Sequence, residues 1–178
     1  EMCIRDRIRG REPQVLLTGG TGSATDRGLS QYVPYIAALR SSFPQARTAI
    51  EAAPPKDVYS VDTLIALGID TFSANIEFFS KKTRKKLLPG KSEIGLEEYK
   101  KVLGYCEKAG VKTFSALIAG PEAEEDTLQG VEYLSGIGVP TNLLCLRPFP
   151  GSRIGNHPRT SPARFLKVTK EANMIMDQ

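Results

Sequence analysis

Phe72-Ser73-Ala74-Asn75-Ile76-Glu77 is the stretch whose reading decides the fold. It follows the helix punctuation Gly68-Ile69-Asp70, begins as an apolar strand and finishes in an amide and a carboxylate. Working outward, the same pattern recurs. Leu16-Leu17-Thr18-Gly19-Gly20-Thr21 precedes it; Ala116-Leu117-Ile118-Ala119-Gly120 and Cys145-Leu146-Arg147-Pro148-Phe149-Pro150-Gly151 follow. Apolar strands ending in Gly, Asn, Glu or Arg point to a barrel whose ligand groups gather at one rim, where such folds carry their chemistry.

Between these strands the hydrophobic spacing is helical. The pattern predicts strands over 14–18, 46–53, 70–76, 111–119 and 139–147. Ser30 is expected to cap a helix with Val33, Ile36, Ala37 and Leu39 on its apolar stripe, and Pro34 fits its first turn. Asp57 is expected to open a second helix that Gly68 stops. A short basic helix is expected over 79–88, and Leu96, Tyr99, Leu103 and Cys106 share one face of a longer helix ending at Gly110. Glu122, Glu124, Glu125 and Asp126 crowd the start of the next helix, where negative charge suits the dipole. Ser161-Pro162 starts the last one. Strands alternating with helices predict a parallel sheet with right-handed crossovers. The strand patterns predict that both sheet faces are covered. Several strands, not two, carry polar tips, which favours an α/β partial (β/α) TIM-type barrel over a flat doubly wound sheet.

Bulk properties narrow the function classes. The formal charge is +4, much of it in Lys81-Lys82-Thr83-Arg84-Lys85-Lys86, a run without interleaved aromatics or a nucleic-acid module signature. It reads as a solvated helix face, and nucleic acid is not an expected partner. No apolar run approaches the roughly 20 residues that span a bilayer, so no membrane partner is expected. Cys3, Cys106 and Cys145 show neither metal-ligand spacing nor a disulfide framework, which makes a reducing cytoplasm the expected location. Glu1-Met2-Cys3-Ile4-Arg5-Asp6-Arg7 resembles the translation of a sequencing-library transposon end. Residues 1–7 are therefore read as an adapter scar and residues 8–178 as the partial barrel, truncated upstream.

Several side chains are candidates for chemistry, each beside a plainer role. Asn75 and Glu77, two apart on a strand, share a face and can grip hydroxyls or an amino acid; the plainer role for Glu77 is a rim ion pair with Lys81 or Lys82. Gly19-Gly20 permits close backbone approach or a tight turn. Glu51 is an acceptor or a structural partner, and Arg147 binds an anion or pairs with a barrel acid. Cys106 and Cys145 are expected in the core and His157 at the surface.

Together these motifs resemble the radical S-adenosylmethionine (SAM) superfamily, especially its biotin synthase and lipoyl synthase branch. The segment Leu17-Thr18-Gly19-Gly20-Thr21 is similar to a glycine-glycine-glutamate motif that contacts the methionyl amino group, with Thr21 in place of the glutamate. Phe72–Glu77 resembles the polar fourth strand, whose Asn and acidic residues contact ribose or methionine. The basic helix after it often supplies a cation to the cofactor carboxylate, with Arg84, Lys85 and Lys86 as candidates. The segment from Ala116 to Glu122, including Ile118, resembles the one that packs on adenine; Leu146–Ser152 resembles an Arg-Pro-x-Pro-Gly-Ser/Thr ending.

The resemblance implies cofactor contacts at Gly19, Gly20, Thr21, Glu51, Asn75, Glu77, Ile118 and Arg147. It also implies S-adenosylmethionine and a [4Fe–4S] cluster as cofactors, a small-molecule substrate, and an electron donor such as flavodoxin or ferredoxin. The family's CxxxCxxC loop is not found in the chain. The expectation is that the first strand and cluster loop lie upstream, in a parent enzyme, and that the chain alone is inactive. A non-radical barrel enzyme and a non-catalytic SAM- or ligand-binding barrel are the alternatives; no Lys stands at the rim end of a predicted strand, since Lys112 lies at the opening end of its own, which counts against Schiff-base chemistry.

Overall fold

The computed structural model describes residues 13–22, 24–152 and 154–177; Cys3 and the adapter-like heptad lie outside the described residues. The elements in chain order are β1 (Gln14–Thr18), a 3-10 turn (Leu29–Tyr32), α1 (Val33–Ser42), β2 (Arg47–Glu51), a second 3-10 turn (Val58–Val61), α2 (Asp62–Ala66) and β3 (Thr71–Ser73). Then come α3 (Lys81–Leu87), α4 (Pro89–Ser92), α5 (Leu96–Lys108), β4 (Lys112–Ala119), α6 (Glu124–Gly136), β5 (Thr141–Cys145) and α7 (Pro162–Met176).

All neighbouring strands pair in parallel, and their order in the sheet is their order in the chain, β1-β2-β3-β4-β5. A doubly wound sheet reverses its strand order at a switch point. Here nothing reverses, so each βα unit advances the wall in one direction, as a barrel requires. The register threads Thr18 to Glu51 to Ser73 across the first three strands.

The core lies between this sheet and the helices. Ile50, Phe72 and Leu117 point into it from the strands, meeting Ile36, Leu64, Leu103, Val131 and Ala172 from the helices. Cys106 is fully buried there on α5, and burial pushes its thiol up to about 12, so it is an inert packing group. Gly68 and Gly110 end their helices at φ 76° and 81°.

Several expectations need correction. The opposite sheet face is not covered at its margins: burial along β1 and β5 alternates, with Leu16 53% and Leu144 49% exposed. β1 is therefore an edge strand and not a buried one, because its outer side has no partner strand among the described residues. Ser30 falls inside a 3-10 turn and Ala37 is exposed, leaving Ile36 as the buried anchor of α1. Asp57 caps a 3-10 turn, accepting from the Tyr59 N–H, before α2 begins. Among the described residues, no helix is long and apolar enough to cross a membrane.

Candidate functional site

The tips of β2, β3 and β4 form the rim, and the chain leaves regular strand geometry there. β3 stops at Ser73, so the alternation expected to place Asn75 and Glu77 on one strand face ends before either residue. The Asn75 side-chain oxygen accepts from the Ser73 hydroxyl at 2.7 Å and from the Ala116 N–H at 3.0 Å. An amide oxygen thus replaces a backbone carbonyl in the β3–β4 ladder. The Ser115 hydroxyl does the converse, accepting from the Ile76 N–H at 3.2 Å. Because the Ala116 N–H needs an acceptor, the orientation of the Asn75 amide is fixed. Its NH2 takes no part in either bond.

Glu77 rejoins the ladder by an isolated bridge to Leu117, its N–H donating to the Ala116 carbonyl and its carbonyl accepting from the Ile118 N–H. It does so at φ 66°, the left-handed region where a side-chain-bearing residue costs about 1 kcal/mol or more. Strain held by hydrogen bonds on both sides is a mark of functional sites. The Glu77 carboxylate pairs with Lys91 on α4, not with Lys81 or Lys82, which are exposed on α3. The reason is that α3 is short and the chain turns back through Pro89, bringing Lys91 over the rim.

Arg84, Lys85 and Lys86 separate cleanly. Lys85 and Lys86 are exposed, while Arg84 is buried at 4% exposure. Its Nη1 donates to the Ile94 carbonyl at 3.1 Å, and its Nε has no partner. Among the described residues no carboxylate pairs with it. Tyr99, one turn into α5, is fully buried with an unpartnered hydroxyl. Burial pushes that phenol up to about 12, opposed by the Arg84 guanidinium and reinforced by the Glu77 carboxylate, which places all three groups in one electrostatic neighbourhood. Two orphaned polar atoms behind a strained rim are an unusual cost for a core to carry.

The remaining expected contacts are spread along the rim. Gly20 faces open space, whereas a side chain on Gly19 would meet the Tyr32 hydroxyl at 3.0 Å, so the two glycines differ in purpose. Thr21 lines a cleft of about 570 Å3 with Gly22 and the segment from Leu87 to Lys91. Glu51 is half-buried at the tip of β2, and its backbone carbonyl lies 3.5 Å from the Tyr32 hydroxyl. Ile118 is half-buried and pairs in register with Leu144. Arg147 is exposed beyond β5. Cys145 is half-buried, and the His157 ring contacts the Pro158 carbonyl in its loop.

Glu122 was expected at a helix start, yet α6 begins at Glu124. Glu122 instead is 4% exposed and accepts from the N–H groups of Phe79 and Ser80 at 3.2 and 3.0 Å and from the Thr127 hydroxyl. It fastens the β4 tip to the start of α3; desolvation holds its carboxyl above the usual range despite those bonds. Arg164 of α7 completes the clamp, bonding Glu124 and the carbonyls of Gly120 and Glu122. Lys91 and Tyr99 were absent from the sequence-based site, and Glu122 entered it only as the end of the segment likened to the one that packs on adenine. A Lys after Pro-Gly and a Tyr on an apolar stripe carry no chemical signal by themselves.

The geometry defines a class first: a strip of parallel barrel wall with polar groups at its C-terminal rim. That wall has the fold of the radical SAM barrel. Solved structures share it: coproporphyrinogen III oxidase HemN from Escherichia coli, described as a radical SAM enzyme, matches with a TM-score of 0.69 and 19% identity over 95% of this chain and 41% of its own. The FeFe-hydrogenase maturase HydG from Carboxydothermus hydrogenoformans matches at 0.72 with 20% identity, over 93% and 40%. The radical SAM methyltransferase TsrM from Kitasatospora setae, solved with tryptophan and a SAM analogue, matches at 0.58 with 20% identity, over 72% and 27%. The chain thus spans less than half the length of these structures, and at such identities the likeness is one of fold. No protein-family model and no curated protein sequence matches the chain.

Proposed function

We propose that this chain is part of a radical SAM enzyme and that its rim holds the SAM cofactor. The observation that carries this reading is Arg84, a buried guanidinium with an orphaned Nε and no carboxylate partner among the described residues, behind a strained rim in the fold shared with HemN and HydG. A buried unpaired charge is costly unless an anion meets it. On this reading the cofactor carboxylate is that anion, and the burial of Arg84 supports it over the exposed Lys85 and Lys86.

The donors present suit the rest of the molecule. The Asn75 NH2 and the Glu51 carboxylate address ribose hydroxyls. Gly20 admits close approach, and Ile118 offers an apolar surface to adenine. Thr21, standing where a glutamate is common in the resemblance, offers a hydroxyl in the cleft below α4.

The iron–sulfur cluster is a different matter. Among the described residues no group of three or more His, Cys, Asp or Glu side chains is placed to hold a metal. These residues do not fit the cluster, and its ligands are assigned to cysteines outside them. In the parent enzyme a bound cluster and SAM would supply radical chemistry toward a small-molecule substrate, with flavodoxin or ferredoxin as electron donor. This chain's part is to bind and orient the cofactor, and alone it is inactive.

The test is to recover the contiguous gene with long reads, express its full product and reconstitute it with iron and sulfide. An iron–sulfur spectrum and reductive release of 5′-deoxyadenosine are expected, with release at least tenfold slower in Arg84→Gln at limiting SAM. A full-length product that takes up no cluster would overturn the reading.

A further inference from the structure

Lys91 is the group that the cofactor reading leaves unused. Its ammonium sits on the Glu77 carboxylate, while its backbone lies in α4, over a cleft it shares with Thr21 and Gly22. Glu77 cannot easily turn away, because its N–H and carbonyl are both committed to β4. The pair is only partly exposed, at 30% for Lys91 and 22% for Glu77. Arg84 and Tyr99 each carry a buried, unpartnered polar atom, and both Glu77 and Arg84 lie within electrostatic reach of the Tyr99 hydroxyl. The neighbourhood therefore offers donors for a carboxylate that are empty-handed and an acceptor for an ammonium that is already taken. An amino-acid end of a ligand carries both charges a few ångströms apart.

We infer that Lys91 is a built-in competitor: its ammonium occupies the place of a ligand's ammonium on Glu77, and binding of an α-amino-acid group exchanges the two while Tyr99 and Arg84 take the carboxylate. The exchange is one ion pair for another, so it costs no net charge at the rim. It frees Lys91 and with it the short α4, which connects to α3 through Leu88 and to α5 through Glu93, Ile94 and Gly95. The inference rests on the reading that a methionyl group binds here, but it assigns a role that reading does not contain. A positioning role for Lys91 predicts the opposite sign, since removing a support weakens binding.

Calorimetric titration of the chain decides between them, with L-methionine, 3-(methylthio)propylamine and 4-(methylthio)butanoate as probes. These probes carry neither adenosine nor a need for the cluster, so a failed reconstitution of the parent leaves the measurement meaningful. Lys91→Met is expected to tighten L-methionine and the amine at least fivefold and to leave the acid unchanged. Tyr99→Phe, which removes only the orphaned hydroxyl, is expected to weaken L-methionine and the acid at least threefold and to spare the amine. Weaker or unchanged amine binding in Lys91→Met overturns the competitor role. Unchanged acid binding in Tyr99→Phe, or no binding of any probe at millimolar concentration, overturns the site.

Discussion

Asn75 shows how one residue can serve both the fold and a site. Its side-chain oxygen is the acceptor that the Ala116 N–H would otherwise lack, and Ala116 is only 4% exposed. A buried N–H without an acceptor costs about 1–3 kcal/mol. Asn75→Ala is accordingly expected to lower unfolding free energy by about 1–3 kcal/mol, whereas Asn75→Asp, which keeps the acceptor, loses less; urea denaturation of the two variants checks it. Equal losses would mean that the neutral NH2 group, which both variants remove, matters at this position and not the oxygen. The sequence named Asn75 as a polar tip, but it gave no sign that the oxygen is spent inside the sheet and only the NH2 remains for a ligand. Lys91 was invisible for a similar reason. Its partner is set by the turn at Pro89, and ion-pair partners follow three-dimensional reach, not sequence proximity.

At the scale of elements, the glycines on two helices separate packing from propensity. Gly130 lies on the face of α6 against the sheet, and a Cβ there would meet Leu117 at 2.9 Å and Phe79 at 3.0 Å. Gly104 on α5 faces open space. Gly130→Val is therefore expected to cost about 1–3 kcal/mol through overpacking, while Gly104→Ala gains about 0.5–1 kcal/mol from helix propensity. Thermal unfolding of the two variants tests the opposite signs. Strand and helix positions were legible because hydrophobic period is local: each expected strand was found, and α5 carries the apolar stripe Tyr99, Leu103, Cys106. The ends of β1 and β4 at the rim were legible too, at Thr18 and Ala119, but that of β3 was not. The third strand was read through Ile76, yet β3 ends at Ser73, because Asn75 and Ser115 side chains replace backbone groups that regular pairing would use. That substitution depends on a strand about forty residues away, beyond any local pattern.

Across the whole molecule the sheet is a parallel wall with one face packed on helices and margins that are not. Parallel sheets ordinarily bury both faces, and an unpaired edge offers its N–H and C=O groups to another chain. Among the described residues both hazards coincide at β1 and β5, where Leu16 and Leu144 are about half exposed and stand in register with Ala49 and Ile118 on the face away from the helices. The sequence expectation of two covered faces failed here because apolar content reports that a strand wants burial, not that a neighbour is present to supply it. The chain is thus expected to self-associate as its concentration rises, with sedimentation velocity as the measure. Leu16→Lys with Leu144→Lys should shift the distribution toward monomer, since charge on an open edge opposes pairing. Neither leucine belongs to the packed core, so thermal unfolding of the monomer should change by no more than the roughly 0.5 kcal/mol typical of surface substitutions. A wild-type chain that stays monomeric across the concentration range would show that the margins are shielded, and a double variant that unfolds would show that they are already part of the packed interior.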